Sequence, residues 1–207
     1  MAARSPAAYG VYAHSCLRDG RVLDHAHLDW VQAAARLSDA SCDELITACR
    51  EFPVTPPVIV GQDEYGGHRE LVARKIGPTE RTAWAFDLLC GVAGDAARNH
   101  FALDVTSITR APQYVEYTAG CGHFGWHNDY SHGMADAPRK LTVIIQLSAP
   151  QDYEGGRLQV FGITIEDLPR ARGTILAFPS LAYHQITPVT RGMRRALVAW
   201  IAGPRIR

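Results

Sequence analysis

The sequence lacks an excess of charge of either sign. Its 207 residues include 21 Lys and Arg and 21 Asp and Glu, so the formal net charge is zero. A protein that binds nucleic acid mainly through the phosphate backbone needs a broad positive field. The charge balance therefore argues against a nucleic-acid partner and favours a small or neutral substrate.

Long apolar runs are also missing. No stretch approaches the roughly 20 apolar residues that span a membrane. The start of the sequence, MAARSPAAYG, has no long apolar core after its single arginine, which is unlike a secretory signal. We therefore expect a cytoplasmic protein with no membrane partner.

The cysteines give no sign of a disulfide framework or a structural zinc site. There are five, an odd number, and they are widely spaced without a C-x-x-C pair. Disulfide frameworks and zinc sites are expected to show even numbers or paired spacings. We expect reduced thiols, which agrees with a cytoplasmic location.

The hydrophobic fraction of 47% is sufficient for the core of one domain. Helical periodicity dominates the first half. Ser41 and Glu44 form an S-x-x-E capping box before an apolar stripe that should end before Pro53. A second helix is predicted from near Pro78 to between Gly91 and Asn99.

From about residue 105 the hydrophobic period changes towards two, which is typical of strands. The predicted strands are Gln113–Tyr117, Leu141–Leu147, Leu158–Phe161, Thr174–Phe178, Gln185–Val189 and Ala196–Ile201. Many short strands joined by glycine-rich turns, including EGG at 154–156, favour a double-sheet jelly roll. The fold class is thus α+β: a single domain over 1–207, with 1–104 mainly helical support and substrate-pocket region and 105–207 the jelly-roll core.

Two histidines and one aspartate have the pattern of a metal site. In the triplet His127-Asn128-Asp129, residues i and i+2 of an extended segment point to the same face, so both side chains can bind one ion. A second imidazole, His184, completes a 2-His-1-carboxylate set, which leaves coordination positions open on iron(II). Two other H-x-[DE] triplets, at 27–29 and 68–70, lack the strand context and are assigned to surface loops.

An arginine follows His184 at a spacing of ten residues. Arg194 shares one face of an apolar strand with Ala196, Val198 and Trp200. A buried guanidinium needs an anionic partner, and a dicarboxylate co-substrate would supply one. Iron (+2), Asp129 (−1), a dicarboxylate (−2) and the arginine (+1) sum to zero, so the site can be enclosed. Alternation alone does not choose between Arg194 and its neighbour Arg195.

These residues resemble the 2-oxoglutarate/Fe(II) oxygenases of the prolyl 4-hydroxylase type, and more closely their bacterial PKHD-type branch, over roughly residues 70–204. The residues that carry the resemblance are Tyr117, Gly120, Phe124 (shifted by one position) and His127 in Y-x-x-G-x-x-F-x-x-H; Arg139, Leu141, Thr142, Gln146, Leu147 and Ser148 in R-x-L-T-x-x-x-Q-L-S; Asp152 to Leu158 in D-Y-E-G-G-x-L; and Phe178 to Arg194 in F-P-S-x-x-x-H-x-x-T-P-V-T-x-G-x-R.

The resemblance implies a double-stranded β-helix with an N-terminal helical layer, and Fe(II), 2-oxoglutarate and O2 as cofactor and co-substrates. It implies His127, Asp129 and His184 as metal and catalytic residues. Its spacing favours Arg194 over Arg195 as the salt bridge to the distal carboxylate of 2-oxoglutarate. By position, Tyr117 and Gln146 line the co-substrate, although relatives have Tyr where this chain has Gln146.

The implied reaction is hydroxylation of an unactivated C–H coupled to decarboxylation of 2-oxoglutarate to succinate. Asp129 itself favours hydroxylation, because relatives that halogenate replace this carboxylate with a small residue. The expected substrate is an amino acid, an amino-acid-derived metabolite or a peptidyl residue. Trp126, Tyr130 and Arg74 are candidates either for the substrate pocket or for packing. The alternative function is a non-catalytic metal-binding or sensing jelly roll.

Overall fold

The structure is a computed structural model that describes residues 30–55, 71–108, 110–120, 122–130 and 138–204. Its helices are α1 (Asp39–Arg50), α2 (Ala83–Ala96), a π-helical turn (Ala97–Phe101) and a 3-10 turn (Pro150–Asp152). Its strands are β1 (Val31–Gln32), β2 (Val54–Thr55), β3 (Leu71–Lys75), β4 (Ser107–Ile108), β5 (Gln113–Thr118), β6 (Phe124–His127), β7 (Arg139–Gln146), β8 (Tyr153–Gly155), β9 (Leu158–Phe161), β10 (Ile165–Asp167), β11 (Ile175–Pro179), β12 (Tyr183–Ile186) and β13 (Val189–Ala202).

Two antiparallel sheets form the body of the protein, as the jelly-roll prediction requires. In the described part of the chain, the larger sheet has nine strands, with the path β1-β11-β7-β13-β5-β3-β2 and with β4 and β8 paired to β13. The smaller sheet has the order β10-β9-β12-β6. One cavity is lined by side chains from both sheets, so the sheets face each other across it.

Alternation along the central strands divides the core into two layers. On β7, Leu141, Val143 and Ile145 pack in the cluster that contains α1 and α2, whereas Ile144 belongs to the cluster between the sheets. The helices therefore cover the outer face of the larger sheet. The inner face is left to line the cavity.

The first helix starts three residues before the predicted capping box. Its N-cap is Ser38, whose hydroxyl accepts a hydrogen bond from the backbone N–H of Ser41 at 3.1 Å. Asp39 in the first turn adds a favourable charge at the helix N-terminus. The prediction that Ser41 is the N-cap was thus wrong. Ser38 takes that position, because its hydroxyl satisfies a free N–H of the first turn. The helix ends at Arg50, before Pro53, as predicted.

Before residue 105, the described ranges 30–55 and 71–104 contribute three strands as well as the two helices. The longest, β3, pairs with β5 on one side and β2 on the other. Its sequence, LVARK, is short and has two charged residues of five, so its strand period was too weak to predict. Tertiary pairing gives it a place in the larger sheet, where Ala73 and Lys75 line the cavity.

The expectation that the EGG motif is a turn was wrong for its first two residues, because Glu154 and Gly155 pair with β13 as the end of β8; the expected positive φ of its glycines is confirmed. Gly155 and Gly156 both have positive φ, at 69° and 54°. A Cβ on Gly155 would lie 2.0 Å from the carbonyl oxygen of Pro188. Glycine is therefore required there both by the backbone conformation and by the close approach of the next strand.

No helix in the described ranges has the length and apolar character needed to cross a membrane.

Candidate metal centre

Strand pairing brings the two predicted histidines together. His127 is the last residue of β6 and His184 is the second residue of β12, and the two are partners across the antiparallel pair. Side chains of directly paired residues point to the same face of a sheet. Their rings consequently lie side by side on the cavity face, with centroids 4.2 Å apart.

Asp129 is held beside these rings by backbone and side-chain hydrogen bonds. Its backbone N–H donates to the carbonyl of Ser180 at 2.9 Å. The hydroxyl of Thr142, on β7 of the opposite sheet, donates to Asp129 Oδ2 at 2.8 Å. Thr142 also lies 3.0 Å from the hydroxyl of Ser180, the residue after β11, so the residues that orient the carboxylate come from β7 and the end of β11, both in the larger sheet.

Both imidazoles direct the same ring nitrogen towards the carboxylate. His127 Nδ1 lies 2.7 Å from the carbonyl of Gly125, and His184 Nδ1 lies 3.0 Å from the carbonyl of Ala182. A proton on Nδ1 that is donated to a carbonyl leaves the Nε2 lone pair free for a metal. The Nε2 atoms lie 3.8 Å and 3.4 Å from the Asp129 carboxylate oxygens.

Aromatic neighbours fix the positions of the rings. Phe124 stacks on His127 with ring centroids 3.4 Å apart and nearly parallel planes. Phe178 lies against His184 at 4.8 Å. These contacts restrict both imidazoles to one orientation.

The ligand atoms of the three residues lie within 4.8 Å of one another. Atoms bound at about 2.1 Å to a common ion, as is usual for imidazole and carboxylate ligands, lie roughly 3 Å apart. Two nitrogens and one carboxylate also match the donor set of a 2-His-1-carboxylate iron(II) site. The residues therefore fit a divalent transition metal.

The charge state of Asp129 suits this role. Burial by itself would raise the pKa of the carboxyl, but His184 and His127 and the hydrogen bond from Thr142 outweigh burial. The pKa of Asp129 therefore lies below its ordinary value, and the side chain is an anion at neutral pH.

A buried guanidinium lines the same cavity. Arg194 is 1% exposed, and its Nη2 donates to Gln146 Oε1 at 2.8 Å. Its Cζ lies 5.5 Å from the centre of the Tyr117 ring. Its Nε has no hydrogen-bond partner in the described structure, and no carboxylate of the described residues pairs with it. Burying a cation without an anionic partner costs free energy. Binding of an anionic group in the cavity would offset that cost, so Arg194 is suited to hold such a group.

The neighbouring Arg195 lies on the opposite face of β13. Its Nε donates to Glu116 at 3.2 Å, and its backbone N–H donates to the hydroxyl of Ser148 at 2.8 Å. Glu116 thus neutralises Arg195 on the helix side of the sheet. Of the two arginines, only Arg194 lines the cavity.

The structure brings together in one cavity five of the six predicted site residues, His127, Asp129, His184, Arg194 and Tyr117. The sixth, Gln146, contacts the cavity arginine directly. Among the further candidates, Arg74 faces away and donates to the carbonyl of Phe52. Trp126 packs against Phe161 instead of lining the cavity. The triplets at 27–29 and 68–70 fall outside the described residues.

Two features were missed from the sequence. The role of Thr142 was not predicted, although the residue is part of the R-x-L-T motif. The cavity wall formed by Thr55, Lys75 and Gln113 was also missed. Alternation places Ala73 and Lys75 together on β3, but the strand itself had not been predicted.

Part of the chain is similar in sequence to known proteins. A model of the 2OG-Fe(II) oxygenase superfamily matches residues 112–202. A PKHD-type hydroxylase of Acidovorax ebreus is 34% identical over 96 residues, which are 44% of this chain and 42% of that protein. A PKHD-type hydroxylase of Polaromonas sp. is 26% identical over 175 residues, 80% of this chain and 76% of the relative. The alignment with the Acidovorax protein thus spans less than half of that relative's length.

The fold has a close counterpart among solved structures. The crystal structure of a Pseudomonas putida prolyl-4-hydroxylase matches with a TM-score of 0.65 at 18% identity, covering 96% of this chain and 100% of that one. The superfamily implies Fe(II), 2-oxoglutarate and O2, and the His-Asp-His set and the buried arginine fit the first two. This chain is similar to the 2OG-Fe(II) oxygenase superfamily over residues 112–202 and has the fold of prolyl 4-hydroxylases.

Proposed function

We propose that the chain is an Fe(II)- and 2-oxoglutarate-dependent hydroxylase. The observation that supports this most strongly is the convergence of two imidazoles and one carboxylate in a cavity that also contains an unpaired buried arginine. An enzyme of this superfamily needs both features at once, whereas a simple metal-binding protein needs only the first.

In this proposal His127, Asp129 and His184 hold the metal. The carbonyls of Gly125 and Ala182 accept hydrogen bonds from Nδ1 of His127 and His184. These bonds orient the two rings so that their Nε2 atoms would be directed at the ion. When bound, iron and O2 supply the oxidising chemistry that converts 2-oxoglutarate to succinate and CO2 and hydroxylates a C–H bond of the substrate.

Arg194, with Gln146 and Tyr117, holds the distal carboxylate of 2-oxoglutarate. Gln146 Oε1 accepts one N–H of the guanidinium and so fixes its plane. The remaining donors, including Nε, are available for a two-point contact with a carboxylate. Gln146 therefore acts on the co-substrate through the arginine.

The substrate class is a small molecule or a peptidyl residue, and an amino acid or amino-acid-derived metabolite is the candidate we favour. The cavity has a volume of about 150 Å³, which is smaller than a typical site for a drug-sized ligand and so favours a small substrate group. The zero net charge argues against nucleic acid as the substrate. A cytoplasmic location remains our prediction from the sequence.

The test is succinate formation by the purified protein supplied with Fe(II), 2-oxoglutarate and O2. We expect slow formation without substrate in the wild type and none in His127→Ala or Asp129→Ala. Thr174→Val, which changes a buried threonine outside the cavity, serves as the matched control and should keep the wild-type rate. Normal turnover in either ligand variant contradicts the proposal, and a metal-loaded wild type that forms no succinate supports the non-catalytic alternative.

A further inference from the structure

The cavity continues beyond the metal centre to a second polar region. There the side chains of Thr55, Lys75 and Gln113 contribute to the lining, and we call these three residues the polar end. They come from three adjacent strands of the larger sheet, β2, β3 and β5. None of the functions assigned above uses them.

Strand register places the polar end well away from Arg194. Lys75 pairs with Gln113 and Gln113 with Val198. Four residues away along the same strands, Arg194 pairs with Tyr117, and Tyr117 pairs with Leu71. Four residues along the strand and two strand spacings across the sheet correspond to about 16 Å. The cavity thus has one cationic side chain at each end.

The three side chains of the polar end have unused hydrogen-bonding capacity. None of them forms a side-chain hydrogen bond or ion pair with any residue that the structure describes. Lys75 offers three N–H donors, Gln113 two, and Thr55 one hydroxyl. An ammonium beside an amide and a hydroxyl is a donor-rich arrangement that suits a carboxylate.

Among the described residues that line the cavity, Asp129 is the only carboxylate, and Lys75 forms no ion pair with it. Metal, Asp129, 2-oxoglutarate and Arg194 sum to zero, as counted above. Lys75 adds one positive charge to this sum. Lys75 is exposed at the mouth of the cavity, and Thr55 and Gln113 are half-buried beside it, so an anionic group of a substrate that enters there can pair with Lys75.

We propose that the polar end binds a carboxylate of the substrate, with Lys75 as its ion-pair partner. This inference rests on the proposed hydroxylase function and narrows it to small carboxylic acids, such as free amino acids. An internal residue of a peptide is excluded as the preferred substrate, because its carboxyl is an uncharged amide. Lys75 is thus a specificity-determining residue that lies away from the reacting atoms.

The first experiment compares acids with their amides. The free amino acids and the matching amino-acid amides are added one at a time to the iron-loaded protein, and stimulation of succinate formation over the basal rate is measured. We expect one or more acids, and not their amides, to stimulate. Lys75→Met should lower kcat/KM for such an acid by about 10- to 100-fold, and Lys75→Arg should restore part of it.

The control variant is Arg98→Met, which removes an exposed cation outside the cavity and should change nothing. Equal stimulation by acid and amide overturns the inference, as does stimulation only by end-blocked peptides, no stimulation by any acid, or an unchanged kcat/KM in Lys75→Met. In each of these cases basal succinate formation persists. Loss of basal succinate in the wild type would contradict the proposed function instead.

A second readout does not depend on turnover. The sequence contains only two lysines, Lys75 and Lys140, and Lys140 is buried. With Mn(II) in place of iron and with 2-oxoglutarate bound, acetylation of Lys75 by an amine-reactive reagent is followed by mass spectrometry. A stimulating acid should slow labelling of Lys75 several-fold while its amide does not. Equal labelling with and without the acid overturns the assignment.

Discussion

At the scale of single residues, Arg194 and Arg195 are neighbours in sequence with opposite environments. The first is buried in the cavity without a carboxylate partner among the described residues, and the second pairs with Glu116 on the helix side. Arg194→Met should raise the KM for 2-oxoglutarate by about 10- to 100-fold, because one charged, two-point contact is lost. Steady-state succinate kinetics measure this change.

Arg195→Met is the matched variant for that experiment. It removes the same charge from the same strand but leaves Glu116 with one partner fewer, so it should lower stability and leave the KM for 2-oxoglutarate near the wild-type value. If Arg195→Met raised this KM more than Arg194→Met did, the assignment of the two arginines would be reversed.

Two buried threonines provide a test of the support for Asp129. Thr142 donates to the carboxylate, whereas Thr174, equally buried, has a hydroxyl without a hydrogen-bond partner in the described structure. Thr142→Val should weaken metal binding by about 10-fold or more, since it removes an orienting contact to a ligand. Thr174→Val should leave metal binding unchanged and be neutral or slightly stabilising.

Titration of the metal into each variant under anaerobic conditions measures the two effects. Equal metal affinities in Thr142→Val and the wild type would show that Thr142 does not orient the ligand. The pair is well matched because both changes replace a buried hydroxyl with a methyl group.

The metal ligands and the cavity arginine could be predicted from sequence, and Lys75 could not. Local periodicity placed His127 and Asp129, which lie two residues apart, on one face, whereas the resemblance to a known family, and not alternation, selected Arg194 over Arg195. Lys75 enters the cavity only because β3 pairs with β5. That pairing joins residues about 40 positions apart in the chain, which no local pattern encodes.

At the scale of secondary-structure elements, Glu116 joins helix α1 to the larger sheet. Its Oε1 accepts hydrogen bonds from Arg50 of α1 at 2.5 Å, from Tyr114 at 2.8 Å and from Arg195 at 3.2 Å. Burial would raise the pKa of Glu116, but these donors outweigh it and hold the pKa below its ordinary value.

A lowered pKa in the folded state makes this contribution depend on pH in one direction. The stabilisation is present above the unfolded-state pKa of about 4.3 and is lost as the pH falls through the lower folded-state value. Glu116→Gln should cost about 1–3 kcal/mol at neutral pH. Its free energy of unfolding should then change less than that of the wild type between neutral pH and about pH 3.

Urea denaturation at a series of pH values checks this prediction. Parallel pH profiles for the wild type and Glu116→Gln would mean that Glu116 is not the group responsible. The exposed carboxylate of Glu154, which pairs with the exposed Arg191, provides the control variant Glu154→Gln, with little expected effect.

Strands with a clear alternation were predicted close to their observed bounds, and short strands were not. Leu158–Phe161 was predicted with its observed ends, and the predicted Gln113–Tyr117 is one residue shorter than β5. The predicted Gln185–Val189 instead covers the end of β12 and the first residue of β13. The two residues between them are Thr187 and Pro188, and the proline, which has no N–H for strand pairing, is a break that the prediction overlooked.

At the scale of the whole molecule, the central strands of the larger sheet belong to both core layers. Alternate residues of β7 and β13 pack against the helices on one side and line the cavity on the other. Unfolding of either layer would therefore expose the other. We predict that residues 1–207 behave as a single domain with one cooperative thermal transition.

Ligand binding should stabilise this unit as a whole. Mn(II) and 2-oxoglutarate, each at about 100 times its dissociation constant, contribute roughly 2.7 kcal/mol apiece, which together corresponds to a rise in Tm of about 10–20 °C for a chain of this size. Differential scanning calorimetry with and without the ligands measures it. Two transitions, of which only one shifts, would contradict the single-domain prediction.

The central claim is that three side chains from two paired strands and the loop after one of them bind one metal ion. Anaerobic titration with Fe(II) of the wild type and of His184→Ala tests it most directly. We predict one ion per chain in the wild type and an affinity at least about 100-fold weaker in the variant, more than an outer contact would cost. A wild type that binds no iron, or a variant that binds it equally well, would contradict the account.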